Sequence, residues 1–154
     1  MVDFSRTLLD IMKIELDVTA NSSCAEITLQ VICDNVKLAE LQASEQNYTI
    51  SHELPDILAE HCLKLVMSGK NKTHTKVNTL GEIIDDIYFK IDRLEFEDLD
   101  MREIFCLGYQ GYTHNFNSSQ PEFLDEFYGQ LGCNGTVTLR FSTPIFLWLN
   151  DHLT

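Results

Sequence analysis

The stretch IMKIELDVTANSSCAEITLQVICDNVKLAEL, residues 11–41, decides the fold class because its apolar residues recur at every second position. One run contains Met12, Ile14, Leu16 and Val18, and a second contains Ile27, Leu29 and Val31. This alternation is typical of strands with one face in the core. Asp34-Asn35 tolerates the left-handed backbone of a tight turn into a third strand, Val36–Leu41. We therefore predict an N-terminal antiparallel meander.

Four later segments carry helix signals. Residues 51–69 combine a serine N-cap with apolar residues at helical spacing, and residues 79–91 open with a Thr-x-x-Glu capping box before four isoleucines. Residues 119–131 begin with Ser, Pro and Glu ahead of Phe and Leu residues, and Thr143-Pro144 precedes a short apolar run. Each pattern predicts a helix. In residues 94–105, Leu94 and Phe96 alternate with acids as in a strand, and the residues from Met101 to Phe105 fit a following helical turn; neither assignment is made.

Two further segments complete the fold prediction. YQGYTHNFN, residues 109–117, places Tyr112, His114 and Phe116 on one side of an extended backbone, and a strand is expected from Gly135 through Phe141. The sum is an α+β protein: an antiparallel sheet, made of the N-terminal meander and a C-terminal strand, with several helices packed on one face. At 154 residues, without a linker or repeat, residues 1–154 are expected to form a single domain.

The net charge of the chain limits the kinds of molecule that it can bind. Twenty-four Asp and Glu against eleven Lys and Arg give a net charge of −13, which repels nucleic acids and anionic membranes and attracts basic proteins. Nine of the carboxylates lie between Leu80 and Phe105. Three interpretations compete for them: a catalytic carboxylate cluster, a solvated helix face, and a surface that meets a positively charged partner.

Motifs for metal, nucleotide or nucleophile chemistry are missing from the sequence. The five histidines and five cysteines have no zinc-site spacing, and Asp98-x-Asp100 lacks the glycine and the later acid of a calcium loop. Gly69-Lys70 resembles the end of a phosphate loop, but Asn71 stands where Ser or Thr would bind magnesium. We therefore expect no cofactor, no bound metal and no enzyme activity.

Location is inferred from the termini and the cysteines. The amino-terminal residues MVDFSRTLLDIM are acidic and lack a signal-peptide cleavage site, and no apolar run is long enough to span a membrane. The cysteines contain no Cys-x-x-Cys pair. These features favour a cytoplasmic protein, in which the Asn-x-Ser/Thr sequons at Asn21, Asn47, Asn71, Asn117 and Asn134 would be inert.

The main functional hypothesis is an acidic, non-catalytic protein that blocks a basic partner. It would act as a bacterial toxin-immunity protein against a nuclease, or as a nucleic-acid mimic. The expected partner-binding residues are Asp85, Asp86, Asp92, Glu95, Glu97, Asp98, Asp100, Glu103, Tyr109, Tyr112 and His114. Two alternatives stay open: a small enzyme with a site assembled around His114, and an acidic protein–protein adaptor domain.

Overall fold

Strands dominate the chain and pair into two facing antiparallel sheets. The structure, a computed structural model, describes residues 10–153. The strands of the first sheet are β1 (Ile11–Ala20), β4 (Tyr48–Pro55), β8 (Phe89–Phe96), β9 (Leu99–Asp100) and β12 (Gln130–Leu131). Their order is β12-β8-β1-β4, and β9 pairs with β8. The second has the order β11-β10-β13-β5-β2-β3; its strands are β2 (Cys24–Cys33), β3 (Val36–Ala43), β5 (Ala59–Ser68), β10 (Tyr109–His114), β11 (Phe123–Phe127) and β13 (Gly135–Thr143).

The remaining elements are short. β6 (Lys76–Val77) and β7 (Ile83–Asp85) form a separate hairpin, and a 3-10 turn covers Lys72–His74. The described α-helices are α1 (Arg102–Phe105) and α2 (Ile145–Leu153). Residues 10–153 contain no helix long and apolar enough to cross a membrane. Most of the amino-terminal segment used to predict a cytoplasmic location, residues 1–9, lies outside the described part of the chain.

The core lies between the two sheets. Alternate residues of each long strand point inward, and the largest fully buried side chains include Phe89, Phe96, Phe105 and Phe127. Phe96 of the first sheet meets Phe141 of the second with their ring centroids 4.7 Å apart. A sandwich whose two inner faces interdigitate in this way buries apolar surface without needing helices as a second layer.

The first three strands are where the sequence predicts them, but they do not form one meander. β1 pairs with β4 and β8 in one sheet, whereas β2 pairs with β3 and β5 in the other. The NSSC segment therefore crosses between the sheets. The β2–β3 hairpin does close at Asp34 and Asn35, whose φ angles of 49° and 67° are left-handed as a tight hairpin turn requires.

The helix predicted for residues 51–69 is wrong. This segment contains the end of β4 and all of β5, and Leu63, Leu65 and Met67 alternate inward while Ile57 and Leu58 are exposed at the turn between the strands. Local spacing fits both a helix and a strand here. Pairing decides the outcome, because β2 and β13 flank β5 and satisfy its backbone on both sides.

The helices predicted for residues 79–91 and 119–131 are also wrong. Ile83 and Ile84 are 64% and 65% exposed rather than buried, and the Asn78 side chain closes the β6–β7 hairpin by accepting hydrogen bonds from the backbone N–H groups of Leu80 and Glu82. Residues 119–131 contain β11 and β12. The α+β prediction is therefore corrected to a β-sandwich, because the segments expected to form a helical layer extend the sheets.

Two C-terminal predictions agree with the structure. β13 begins at Gly135, and α2 follows Thr143-Pro144. The cap of α2 differs from the expected one, because Asp56 accepts a hydrogen bond from the Ile145 N–H at 2.9 Å. The segment left open, residues 94–105, contains the end of β8, a hairpin turn at Glu97-Asp98, β9 and then α1.

Candidate binding cleft

The eight acidic residues predicted to bind a partner, between Asp85 and Glu103, lie in four separate places in the structure. Asp85 and Asp86 lie at the end of the β6–β7 hairpin, and Asp92 and Glu95 lie on the outer face of the first sheet. Glu97 and Asp98 form the β8–β9 turn with positive φ angles, for which Asp is a favoured residue. Asp100 and Glu103 border a cleft beside α1.

Several of these acids are paired with cations of the chain itself. Asp86 contacts the Lys70 ammonium, and Asp100 accepts hydrogen bonds from the Arg102 guanidinium at 2.9 and 3.1 Å. Glu95 lies 3.6 Å from Arg93. Because internal cations already neutralise these carboxylates, they cannot present their full charge to a basic partner.

The three predicted aromatic and histidine site residues are structural. His114 is buried: its Nε2 lies 2.8 Å from the Asp125 carboxylate, and its Nδ1 accepts a hydrogen bond from the Phe116 N–H at 3.1 Å. Both ring nitrogens are therefore used, and the imidazole has no nitrogen left for a substrate. The bond from His114 holds the pKa of Asp125 below its ordinary value.

Tyr112 and Tyr109 are also committed to packing. The Tyr112 hydroxyl donates to the Cys133 carbonyl at 2.5 Å and accepts from the Cys133 N–H at 3.0 Å, and burial raises the pKa of this tyrosine. Tyr109 packs edge-on against Phe105, with ring centroids 5.0 Å apart, and accepts a hydrogen bond from the Arg140 N–H. These residues hold β10 in the sandwich.

A cleft of about 340 Å³ lies between α1, β8 and β12. Its apolar surface comes from Ile91, Cys106, Leu107 and Gly129, and its polar groups come from Lys90, Asp100, Arg102, Glu103 and Gln130. Burial raises the pKa of the Cys106 thiol to about 11, so it lines the cleft as a neutral group. This combination of an apolar surface with a few polar groups is typical of small-molecule sites.

Tyr128 gives the cleft an exposed aromatic ring. The side chain is 64% exposed, its hydroxyl donates a hydrogen bond to the Glu126 carboxylate, and that bond raises the pKa of the tyrosine. A Cβ placed at Gly108 would lie 3.6 Å from the ring, an ordinary van der Waals distance, so the ring lies close to the backbone at this position. The Gly108 N–H donates to the Phe127 carbonyl, which joins the two segments at this point. The ring is therefore held in place while much of its surface faces solvent.

Arg102 supplies hydrogen-bond donors at the rim. Its guanidinium donates to both Asp100 carboxylate oxygens and to the Asp92 carbonyl at 2.9–3.1 Å. The Arg102 hydrogen bonds hold the pKa of Asp100 below its ordinary value. A guanidinium has five N–H groups, and three of them are used here. The remaining two are available to a ligand in a geometry that Asp100 has already fixed.

A groove of about 360 Å³, similar in size to the Tyr128 cleft, lies beside α2, but its aromatic faces are covered. It is lined by Glu60, His61, Tyr109, Arg140 and Trp148. Trp148 stacks on Phe105 at 5.7 Å and on His152 at 4.0 Å. His61 lies between Asp34, 2.6 Å from its Nδ1, and Thr143, 3.0 Å from its Nε2. The Tyr128 cleft is therefore the better candidate for a ligand that stacks on an aromatic ring.

Three comparisons relate the chain to known proteins. No protein-family profile and no curated protein matches it. Two solved structures are similar: a selenomethionine form of vCBM60, described among calcium-dependent carbohydrate-binding modules, and vCBM60 in complex with galactobiose. Their TM-scores are 0.46 and 0.44 at 11% and 12% identity; each covers 82% of this chain, and the matches cover 88% and 95% of the respective neighbours. A likeness this distant does not indicate which residues bind a ligand.

These findings correct the functional prediction. The hypothesis of a toxin-immunity protein or nucleic-acid mimic with a basic protein partner is wrong: the acids form no helical face, and several are paired with cations of the chain itself. The structure gives no support for an enzyme site around His114, because the side chain is buried and both ring nitrogens are hydrogen-bonded within the chain.

A calcium site was tested against the donor groups of the chain. Among residues 10–153, no three His, Cys, Asp or Glu side chains converge as potential ligands. Asp98 lies in the β8–β9 turn, and Asp100 at the end of β9 is committed to Arg102. Because calcium takes six to eight oxygen ligands, the side chains described here do not fit this ion.

Sequence reasoning missed Tyr128 and Lys70. Tyr128 lies within a segment predicted as a helix, and its neighbour Gly129 was the available signal, since that glycine has a φ of 87° and lies in the turn between β11 and β12. In the sequence, Lys70 stands out only as part of the Gly69-Lys70 resemblance to a phosphate loop. Its side chain is only 1% exposed, and no local pattern distinguishes it from the exposed Lys72.

Proposed function

We propose that this chain is a carbohydrate-binding module that holds a short neutral oligosaccharide in the Tyr128 cleft. The supporting observation is the exposed Tyr128 ring, which lies against Gly108 and is tethered through its hydroxyl to Glu126. A pyranose ring has an apolar C–H face and polar edges. It therefore pairs with a flat aromatic surface bordered by hydrogen-bonding groups.

Rigidity of the ring favours binding. A side chain that is already fixed loses little conformational entropy when a ligand stacks on it, so more of the contact energy appears as affinity. Gly108 and Glu126 provide this restraint from two sides. The contrast is Phe146, which is 60% exposed on α2 and does not line the cleft.

The polar rim matches sugar hydroxyls. Arg102 provides two unused N–H donors, Glu103 provides a carboxylate acceptor, and Gln130 provides an amide with both functions. The net charge of −13 disfavours acidic sugars at long range. The cleft volume is at the lower end of the usual range for ligand sites, which suits one or two sugar units.

The test is binding of neutral disaccharides and oligosaccharides by isothermal titration calorimetry. Galactobiose, the ligand in one of the similar structures, belongs in the panel. We expect Tyr128→Ala to weaken binding about tenfold or more, a loss of roughly 1.4 kcal/mol. Tyr128→Phe keeps the ring and should lose less.

Phe146→Ala is the matched control, because it removes an exposed aromatic ring away from the cleft. It should leave the affinity unchanged. The proposal fails if no neutral glycan binds, or if the Phe146 and Tyr128 alanine variants weaken binding equally.

A further inference from the structure

A buried ammonium group lies within a set of oxygen atoms at one end of the sandwich. The Lys70 side chain is 1% exposed, and its Nζ donates to the carbonyls of Ile87 at 2.9 Å and Gly132 at 2.6 Å. Its third oxygen partner is the Asp86 carboxylate. An ammonium has three N–H groups, so all three have an acceptor.

The three acceptors come from two segments, one before β8 and one after β12, which the pairing of Phe89 with Leu131 brings together. Lys70 follows β5, Asp86 and Ile87 precede β8, and Gly132 follows β12. Gln130 of β12 lines the Tyr128 cleft, and Gly132 follows two residues later. The ammonium therefore holds together loops that support the cleft.

Asparagine amides reinforce the same loops. The Asn134 side chain accepts from the Lys70 N–H at 2.9 Å and donates to the Lys70 carbonyl at 2.8 Å, which fixes the lysine backbone. Asn21 donates to the Asp86 carbonyl at 2.6 Å and accepts from the Tyr88 N–H at 2.9 Å. The oxygen set around Nζ is thus built from restrained backbone.

Carbonyl and carboxylate oxygens are also the ligands that calcium uses, but this set does not suit calcium. It supplies three oxygens where calcium takes six to eight.

We propose that the Lys70 ammonium is the resident cation of this end of the sandwich, so that its loops are held without a divalent metal. The same reasoning makes sugar binding in the Tyr128 cleft independent of calcium. That second statement rests on the proposed function, whereas the first concerns folding alone. When Lys70 is shortened, the vacated position becomes a site for a small primary ammonium ion.

The first test is thermal unfolding of the native protein without sugar. EDTA should leave Tm unchanged, and CaCl2 should shift Tm no more than the same concentration of MgCl2. A fall of Tm in EDTA, or a rise specific to calcium, would overturn the proposal. Because no sugar is present, the result does not depend on whether the Tyr128 cleft binds carbohydrate.

The second test uses Lys70→Ala with propylammonium, which replaces the three carbons and the nitrogen lost beyond Cβ. The variant should melt at a lower temperature, and propylammonium should raise its Tm more than tetramethylammonium, which has no N–H donor. Lys72→Ala is the matched control, because Lys72 is an exposed lysine two residues away. Rescue by calcium but not by propylammonium would contradict the assignment.

A third measurement covers the case in which Lys70→Ala does not fold. The native protein is acetylated under limiting reagent, and each of its seven lysines is followed by mass spectrometry. Lys70 should be the slowest to react while the protein stays folded, and it should react like the others in urea. Labelling of Lys70 as fast as Lys72 in the folded protein would overturn the proposal.

Discussion

Lys70 and Arg93 each meet three oxygen-bearing partners, yet their surroundings are opposite. The Lys70 side chain is 1% exposed and contacts two backbone carbonyls and Asp86. The Arg93 side chain is 32% exposed on the outer face of the first sheet and pairs with Glu15, Asp17 and Glu95. Water can replace the partners of Arg93 but not those of Lys70. Burial, and not the number of partners, therefore decides how much each cation stabilises the fold.

The largest effect is expected for Lys70→Met. This substitution keeps the length of the side chain but leaves two carbonyls and a carboxylate without their cation, at a cost of about 3–5 kcal/mol. Urea unfolding should show a lower midpoint with an unchanged m-value. Lys72→Met should leave the midpoint within error, and an equally small effect of Lys70→Met would remove the distinction between the two cations.

A smaller effect is expected for Asn134→Ala. The Asn134 amide makes two hydrogen bonds with the Lys70 backbone, and their loss should reduce the free energy of unfolding by roughly 1–3 kcal/mol. A double-mutant cycle with Lys70→Met measures how far the two residues act together. Strict additivity would show that Asn134 does not position the ammonium.

Arg93→Ala should change stability little near neutral pH. Its three acids are 16–27% exposed and gain further access to water after the substitution, and ion pairs that water can reach contribute weakly and are screened by salt. The difference in urea midpoint from the native protein should shrink as salt rises. A large, salt-independent loss would place Arg93 in the same class as Lys70.

The smallest difference is expected at acid pH. Hydrogen bonds from Lys13 and then Arg93 hold the pKa of Glu15 below its ordinary value, and bonds from Arg93 do the same for Asp17 although burial opposes them. A carboxyl group whose pKa is lower in the folded than in the unfolded protein stabilises the fold at pH values above its unfolded pKa, which is near 4. This contribution disappears as the pH falls through the folded-state pKa. Unfolding curves of native protein and Arg93→Ala should therefore converge on acidification. Curves that diverge there would reverse the sign of this linkage.

Features set by the local sequence could be predicted, whereas features set by contacts between distant segments could not. The strand alternation of Leu16 and Val18, like the turn at Asp34-Asn35, is a local property that tertiary contacts did not change. The assignment of residues 51–69 failed because a strand and a helix both accommodate their apolar spacing. For the cleft, Asp100 and Glu103 were among the expected site residues, whereas Tyr128 was not.

By itself, the sequence determined the alternating strands β1 to β3, the β2–β3 turn, β13 and helix α2, because backbone propensity and periodicity act over a few residues. Tertiary structure alone decided that β1 and β2 join different sheets, that Lys70 is enclosed by oxygens, and that Tyr128 lies against Gly108. Each of these outcomes depends on groups far apart in the chain. Their free energy comes from pairing and burial that local sequence does not encode.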